Sequence, residues 1–170
     1  MKKIWICSFL CLLLTVGTLG TASARNKQIG VGAHYWTTLD DIDVDDIDES
    51  GLAWYLSYRQ RLSDLLQVEL DLEIADEKHA GDGETIFAPQ AFLLLGSSLY
   101  GGVGLGVDWA DGDLGDLYYL LRAGYVIELL PQIFIDFNLN YRFETWDIDA
   151  VKEDVDADTL TMGAIVRMGF

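Results

Sequence analysis

From residue 28 to its end, the chain carries apolar side chains at every second position, in eight segments of about ten residues each. A period of two is the signature of a strand with one apolar face and one that is not. The clearest case is 65–75, where Leu66, Val68, Leu70, Leu72 and Ile74 alternate with Gln67, Glu69, Asp71 and Glu73. The other segments cover 28–36, 51–61, 85–95, 99–109, 117–127, 133–144 and 159–170. The one at 85–95 is the least regular, because both its faces are apolar and Pro89 interrupts it, which predicts a bulge there. The pattern predicts an all-β chain of eight strands in antiparallel up-and-down order. The connections alternate. Those at 37–50, 76–84, 110–116 and 145–158 are long or acidic, whereas 62–64, 96–98 and the one around Pro131 are brief.

The first residues do not share this pattern. Lys2 and Lys3 precede an apolar run from Ile4 to Leu14, and Ala22-Ser23-Ala24 follows. This reads as a secretory signal peptide over 1–24, leaving one domain over 25–170. Bulky residues precede Cys7 and Cys11, so neither sits in a lipoprotein context, and both leave with the signal. Cleavage also removes two of the 11 basic residues against 28 acids, so the formal charge moves from −17 to −19. So acidic a domain is unsuited to nucleic acid. No segment of it approaches the length of a transmembrane helix. Yet the mean hydropathy is positive, at +0.19. A membrane barrel reconciles the two, because its apolar residues are interleaved, not contiguous.

A water-soluble barrel of the lipocalin kind would also alternate, with its apolar face inside. The polar face here argues otherwise, being rich in Gly and aromatic residues and poor in Lys and Thr. In an eight-stranded lumen, just wide enough for side chains, glycines opposite large residues make steric sense. The Gly-x-Trp signature of lipocalins is also missing near the start.

Counting back from the end, Phe170, Met168, Val166, Ala164, Met162 and Leu160 are all apolar. A strand that stops on an aromatic residue resembles the C-terminal signal of bacterial outer-membrane barrels. Over 25–170 the chain resembles the small barrels of the OmpX, OmpA-transmembrane and OmpW-like type. That resemblance implies an outer-membrane location, with long extracellular loops, short periplasmic turns and both termini on the periplasmic side. It also implies insertion by periplasmic chaperones and the barrel-assembly machinery, with Phe170, Met168 and Val166 as the assembly signal. Trp36, Trp54, Trp109 and Trp146 then fall near the extracellular strand ends as an aromatic belt, although alternation points Trp36 and Trp146 inward.

An Arg or Lys facing lipid at mid-depth costs about 2–4 kcal/mol. Arg59, Arg122, Arg142 and Arg167 are therefore expected in the lumen, with Glu69, Asp71, Glu73 and Asp136 to balance them. A turn centred on Ser63 sets Arg59 diagonal to Glu69, and the last hairpin sets Asp136 opposite Arg167. The expected result is an ionic network that plugs the barrel.

The acidic run 40–49 has the look of a calcium loop but lacks the mid-loop Gly and spaced Glu of an EF-hand, so no metal site is assigned. Its expected role is a solvated hairpin tip, part of a negative ring that divalent cations could bridge to lipopolysaccharide phosphates. Some barrels of this size modify lipid A, using a His-x-Ser pair on a strand. Here His34 is followed by Tyr35 and Trp36, and His79 lies in a loop. The sequence therefore reads as a non-enzymatic, cofactor-free outer-membrane protein, structural or surface-interacting. The alternatives are a narrow porin-like conduit and, behind it, a lipid A-modifying enzyme.

Overall fold

The computed structural model describes residues 26–38, 50–75, 85–110, 112–143 and 159–170. The predicted signal peptide, His79, Trp146 and most of the acidic loops lie outside them. Eight strands form a closed antiparallel barrel in sequence order: β1 (Lys27–Thr38), β2 (Ser50–Arg61), β3 (Leu66–Ala75), β4 (Ile86–Gly96), β5 (Leu99–Ala110), β6 (Asp113–Leu130), β7 (Ile133–Phe143) and β8 (Thr159–Gly169). Most are 10–12 residues long. That matches the roughly 9–11 residues a tilted strand needs to cross a bilayer. Closure joins β1 to β8, with Val31 opposite Val166, and ends where the Phe170 N–H donates to the Lys27 carbonyl at 3.0 Å. Closure leaves no open edge, so the wall's backbone groups pair among themselves, as a hydrocarbon surrounding demands.

The alternation resolves into two surfaces. Consecutive Leu93, Leu94 and Leu95 are 46%, 0% and 62% exposed. The outward set includes Val31, Leu56, Val103, Leu121, Phe137 and Val166, all exposed, while the inward set holds every buried Arg, Asp and Glu. Wide exposure of large apolar residues is untenable in water but is what a lipid-facing wall requires.

Five expectations need correction. Strand β6 runs over Asp113–Leu130, not 117–127, and Ala110 pairs with Asp113. The fifth connection is therefore only two residues, with Gly112 at φ 84°, not a long loop. Pro89 causes no bulge in β4, because the register against β5 is the same on both sides of it. The irregularity lies in β5 itself, between Val107 and Trp109 against β6. Without an N–H, Pro89 leaves a gap in the ladder, where neither it nor Ala88 pairs with β5, but the strand carries on in the same register beyond it. Arg59 is directly opposite Glu69, not diagonal to it, and Asp136 is opposite Ile165 while Arg167 is opposite Phe134.

At the turn end the connections are short. The Ser63 hydroxyl accepts from the Leu66 N–H at 3.0 Å. Gly96 opens the β4–β5 turn at φ 124°, and a Cβ there would run into the Leu99 carbonyl. Only glycine fits such a position.

Candidate functional site in the barrel lumen

Inward positions at one height on β2, β3, β6, β7 and β8 bring six charged residues together. Glu69 lies at their centre. Its carboxylate accepts from Arg59 Nε, from Arg122 Nη1 at 2.8 Å and from Arg167 Nη2 at 2.6 Å. Asp136 accepts from Arg59 Nη2 at 2.7 Å, from Arg167 Nε at 2.8 Å and from the Tyr100 hydroxyl at 2.7 Å. Asp71 accepts from Arg122 Nη1 at 2.6 Å. Three guanidinium groups thus face three carboxylates, all of them buried. Burying charge on this scale is tolerable only when it is paired and hydrogen-bonded.

Neutral side chains hold the set in place. The Ser57 hydroxyl accepts from Arg167 Nη1 at 2.7 Å and donates to Glu69 at 3.0 Å. Asn140 accepts from Arg122 Nε at 2.5 Å. The Arg122 guanidinium lies 3.6 Å from the centre of the Phe92 ring, and that of Arg59 4.5 Å from the Tyr100 ring. Desolvated cations gain from such ring faces. The pairing is incomplete in places: His34 Nε2, Asp71 Oδ1, Arg122 Nη2 and Asn138 Nδ2 are buried without a hydrogen-bond partner among the described residues.

The other two predicted charges stand apart, towards the loop end. Arg142 Nη2 meets Asp108 Oδ2 at 2.7 Å and covers the Tyr118 ring at 3.7 Å. Glu73 is held by the Tyr55 hydroxyl at 2.7 Å and by Gln90 Nε2 at 2.7 Å. Trp36 is no part of an outer belt. Its ring is 3% exposed and packs inside against Ala53, Ala75 and Ile86. Gly51 leaves room for it, since a Cβ there would come within 2.8 Å of the indole. Trp54 and Trp109 do face outward near the loop end.

Sequence reasoning missed Tyr55, Ser57, Tyr100, Gln90, Asn140 and Asp108 as partners. All six occupy inward positions by the same period of two, so the signal was there, but the five neutral residues draw no attention until the charges they serve are placed, and Asp108 has no visible partner until the strands around it are set in register. His34 is fully buried, stacks on Tyr55 at 3.6 Å and lies 3.4 Å from Asn140. A general base must reach its substrate. This ring is walled in.

The chain superposes on the crystal structure of Neisserial surface protein A with a TM-score of 0.57 over 89% of its length and 100% of that chain, at 14% identity. A de novo designed transmembrane β-barrel matches with a TM-score of 0.49 at 9% identity, covering 89% of this chain and 100% of that one. The Yersinia pestis outer-membrane protein Ail in a phospholipid nanodisc matches with a TM-score of 0.47 at 16% identity, covering 86% and 100%. The likeness is one of fold: a small, closed eight-stranded antiparallel β-barrel. No protein-family model matches the sequence, and no curated protein does. The exposed apolar belt is the barrel's outer surface, and its buried ions lie in the lumen behind that belt.

Proposed function

We propose that this protein is a non-enzymatic integral outer-membrane barrel, closed to passage, that serves as a rigid platform for acidic loops at the cell surface. The observation that supports this reading is Glu69, which accepts from three arginines on three different strands and so ties opposite walls of the barrel together. A conduit needs a continuous wet path, and the paired charges occupy the cross-section where that path would run. Planar-bilayer recordings of the purified barrel test this. The expected result is no large, stable conductance, and well-resolved open channels would overturn it.

The loops bear most of the negative charge, and their chemistry favours divalent cations bridged to lipopolysaccharide phosphates. A lower melting temperature in EDTA is the expected outcome, and an unchanged one counts against the bridge. In the same reading, Val166 and Met168 on β8 and Phe170 just after it, all facing outward, act as the assembly signal read by chaperones and the insertion machinery. Deleting Phe170 should lower membrane yield.

A further inference from the structure

Below the ionic plug, the turn end of the barrel opens into a vestibule of about 330 Å³. That lies in the range of small-molecule sites. Its chemistry differs from that of the plug, because its donors are unspent. Gln28 is 92% buried in the lining, yet its amide makes no hydrogen bond among the described residues. Arg59 turns Nε and Nη2 towards Glu69 and Asp136, which leaves Nη1 for the vestibule. Arg61, two residues on, lines the same space and has no ion pair among the described residues. A single acid, Glu128, lies in the lining with them.

The rim bears on the source of a ligand. Leu65, Leu99, Leu129 and Leu130 surround this end, all more than half exposed. The apolar belt therefore reaches the turns, and the vestibule opens at the depth of lipid headgroups instead of projecting into water. Guanidinium and amide donors are the recurrent partners of phosphate oxygens. A lone carboxylate beside them suits the cationic end of a zwitterion.

We propose that the vestibule binds a phosphate group, held by Arg59, Arg61 and Gln28, and that Glu128 receives an ammonium substituent on the same ligand. The source is either a phospholipid headgroup folded over the short turns or a soluble phosphodiester. The proposal goes beyond the closed-lumen reading. Conductance tests the plug, and binding tests the vestibule.

The test uses the full folded barrel. Inorganic phosphate and glycerophosphoethanolamine are titrated by calorimetry in detergent, and lipid retention is read by native mass spectrometry from nanodiscs with and without phosphatidylethanolamine. Arg61→Gln lies outside the plug and is expected to weaken both soluble probes about tenfold. Gln28→Ala should weaken both less. Glu128→Gln should weaken glycerophosphoethanolamine but not inorganic phosphate. Retained phosphatidylethanolamine that Arg61→Gln releases identifies a lipid source, whereas Arg61-dependent binding of the soluble probes alone identifies a soluble one. Absence of binding by every probe, or binding that neither Arg61→Gln nor Gln28→Ala changes, overturns the proposal.

Discussion

The two faces of these strands use the same backbone and opposite chemistry. Outside, Leu52, Leu56 and Leu93 stand exposed, and each faces only its own patch of lipid. Inside, Glu69 alone engages Arg59, Arg122 and Arg167, so a single side chain governs contacts between strands far apart in sequence. The outer face is additive and forgiving, and the inner face is shared and intolerant. What a residue is worth here depends less on its type than on the parity of its position. Leu94, between two exposed leucines, packs with Phe92, Tyr100, Tyr118 and Leu120 as any core residue would.

The sharpest way to break this contrast is to remove the hub. Glu69→Gln keeps the shape but leaves three buried guanidiniums without their common counter-charge. Removing one partner from a buried set costs about 3–5 kcal/mol. Urea unfolding in lipid vesicles should show a loss of that size, and a loss near zero would mean the inner face is as forgiving as the outer. The outer face is tested with the opposite change. Leu56→Arg puts a charge into lipid at mid-strand and should cost about 2–4 kcal/mol. Leu62→Arg, in the turn at the membrane edge, should cost only about 0–1 kcal/mol. If the two arginines cost the same, the exposed belt is not facing a bilayer.

Much of this contrast was legible in the sequence, and the failures have physical causes. Parity assigned the inward charges because a wall one residue thick allows no third place for a side chain. Register was less accessible. Turn residues 62–65 all leave the ladder, because the Leu62 N–H donates to the Leu66 carbonyl at 2.8 Å and Ser63 caps Leu66, so Arg59 moves to face Glu69 directly. The pairing of β7 with β8 follows a connection of some fifteen residues, whose length imposes no register, and Arg167 falls opposite Phe134. Strand β6 was read short because residues 113–117 are exposed on both faces. With no buried face, the period of two disappears. The neutral partners around Arg122 and Arg167 went unread for another reason: parity gives direction but not reach.

The finest test of the contrast sits on one strand. Gly106 and Gly101 both belong to β5, but Gly106 faces the lumen and Gly101 the lipid. A Cβ at Gly106 would lie 2.6 Å from the Tyr118 ring, whereas one at Gly101 meets nothing closer than the Arg122 carbonyl at 3.7 Å. Tyr118 cannot retreat, because Gln90 donates to its hydroxyl at 3.2 Å and Arg142 lies on its ring. Gly106→Ala is therefore expected to cost about 1–3 kcal/mol by overpacking. Gly101→Ala should be neutral or stabilising by up to about 1 kcal/mol, since a strand glycine gives up more backbone freedom on folding than alanine does. Adding Tyr118→Leu vacates the space that the new methyl group needs. The double variant Gly106→Ala, Tyr118→Leu should then unfold at a higher urea concentration than the sum of the two single changes predicts. Strict additivity would place the conflict somewhere other than the Gly106–Tyr118 contact.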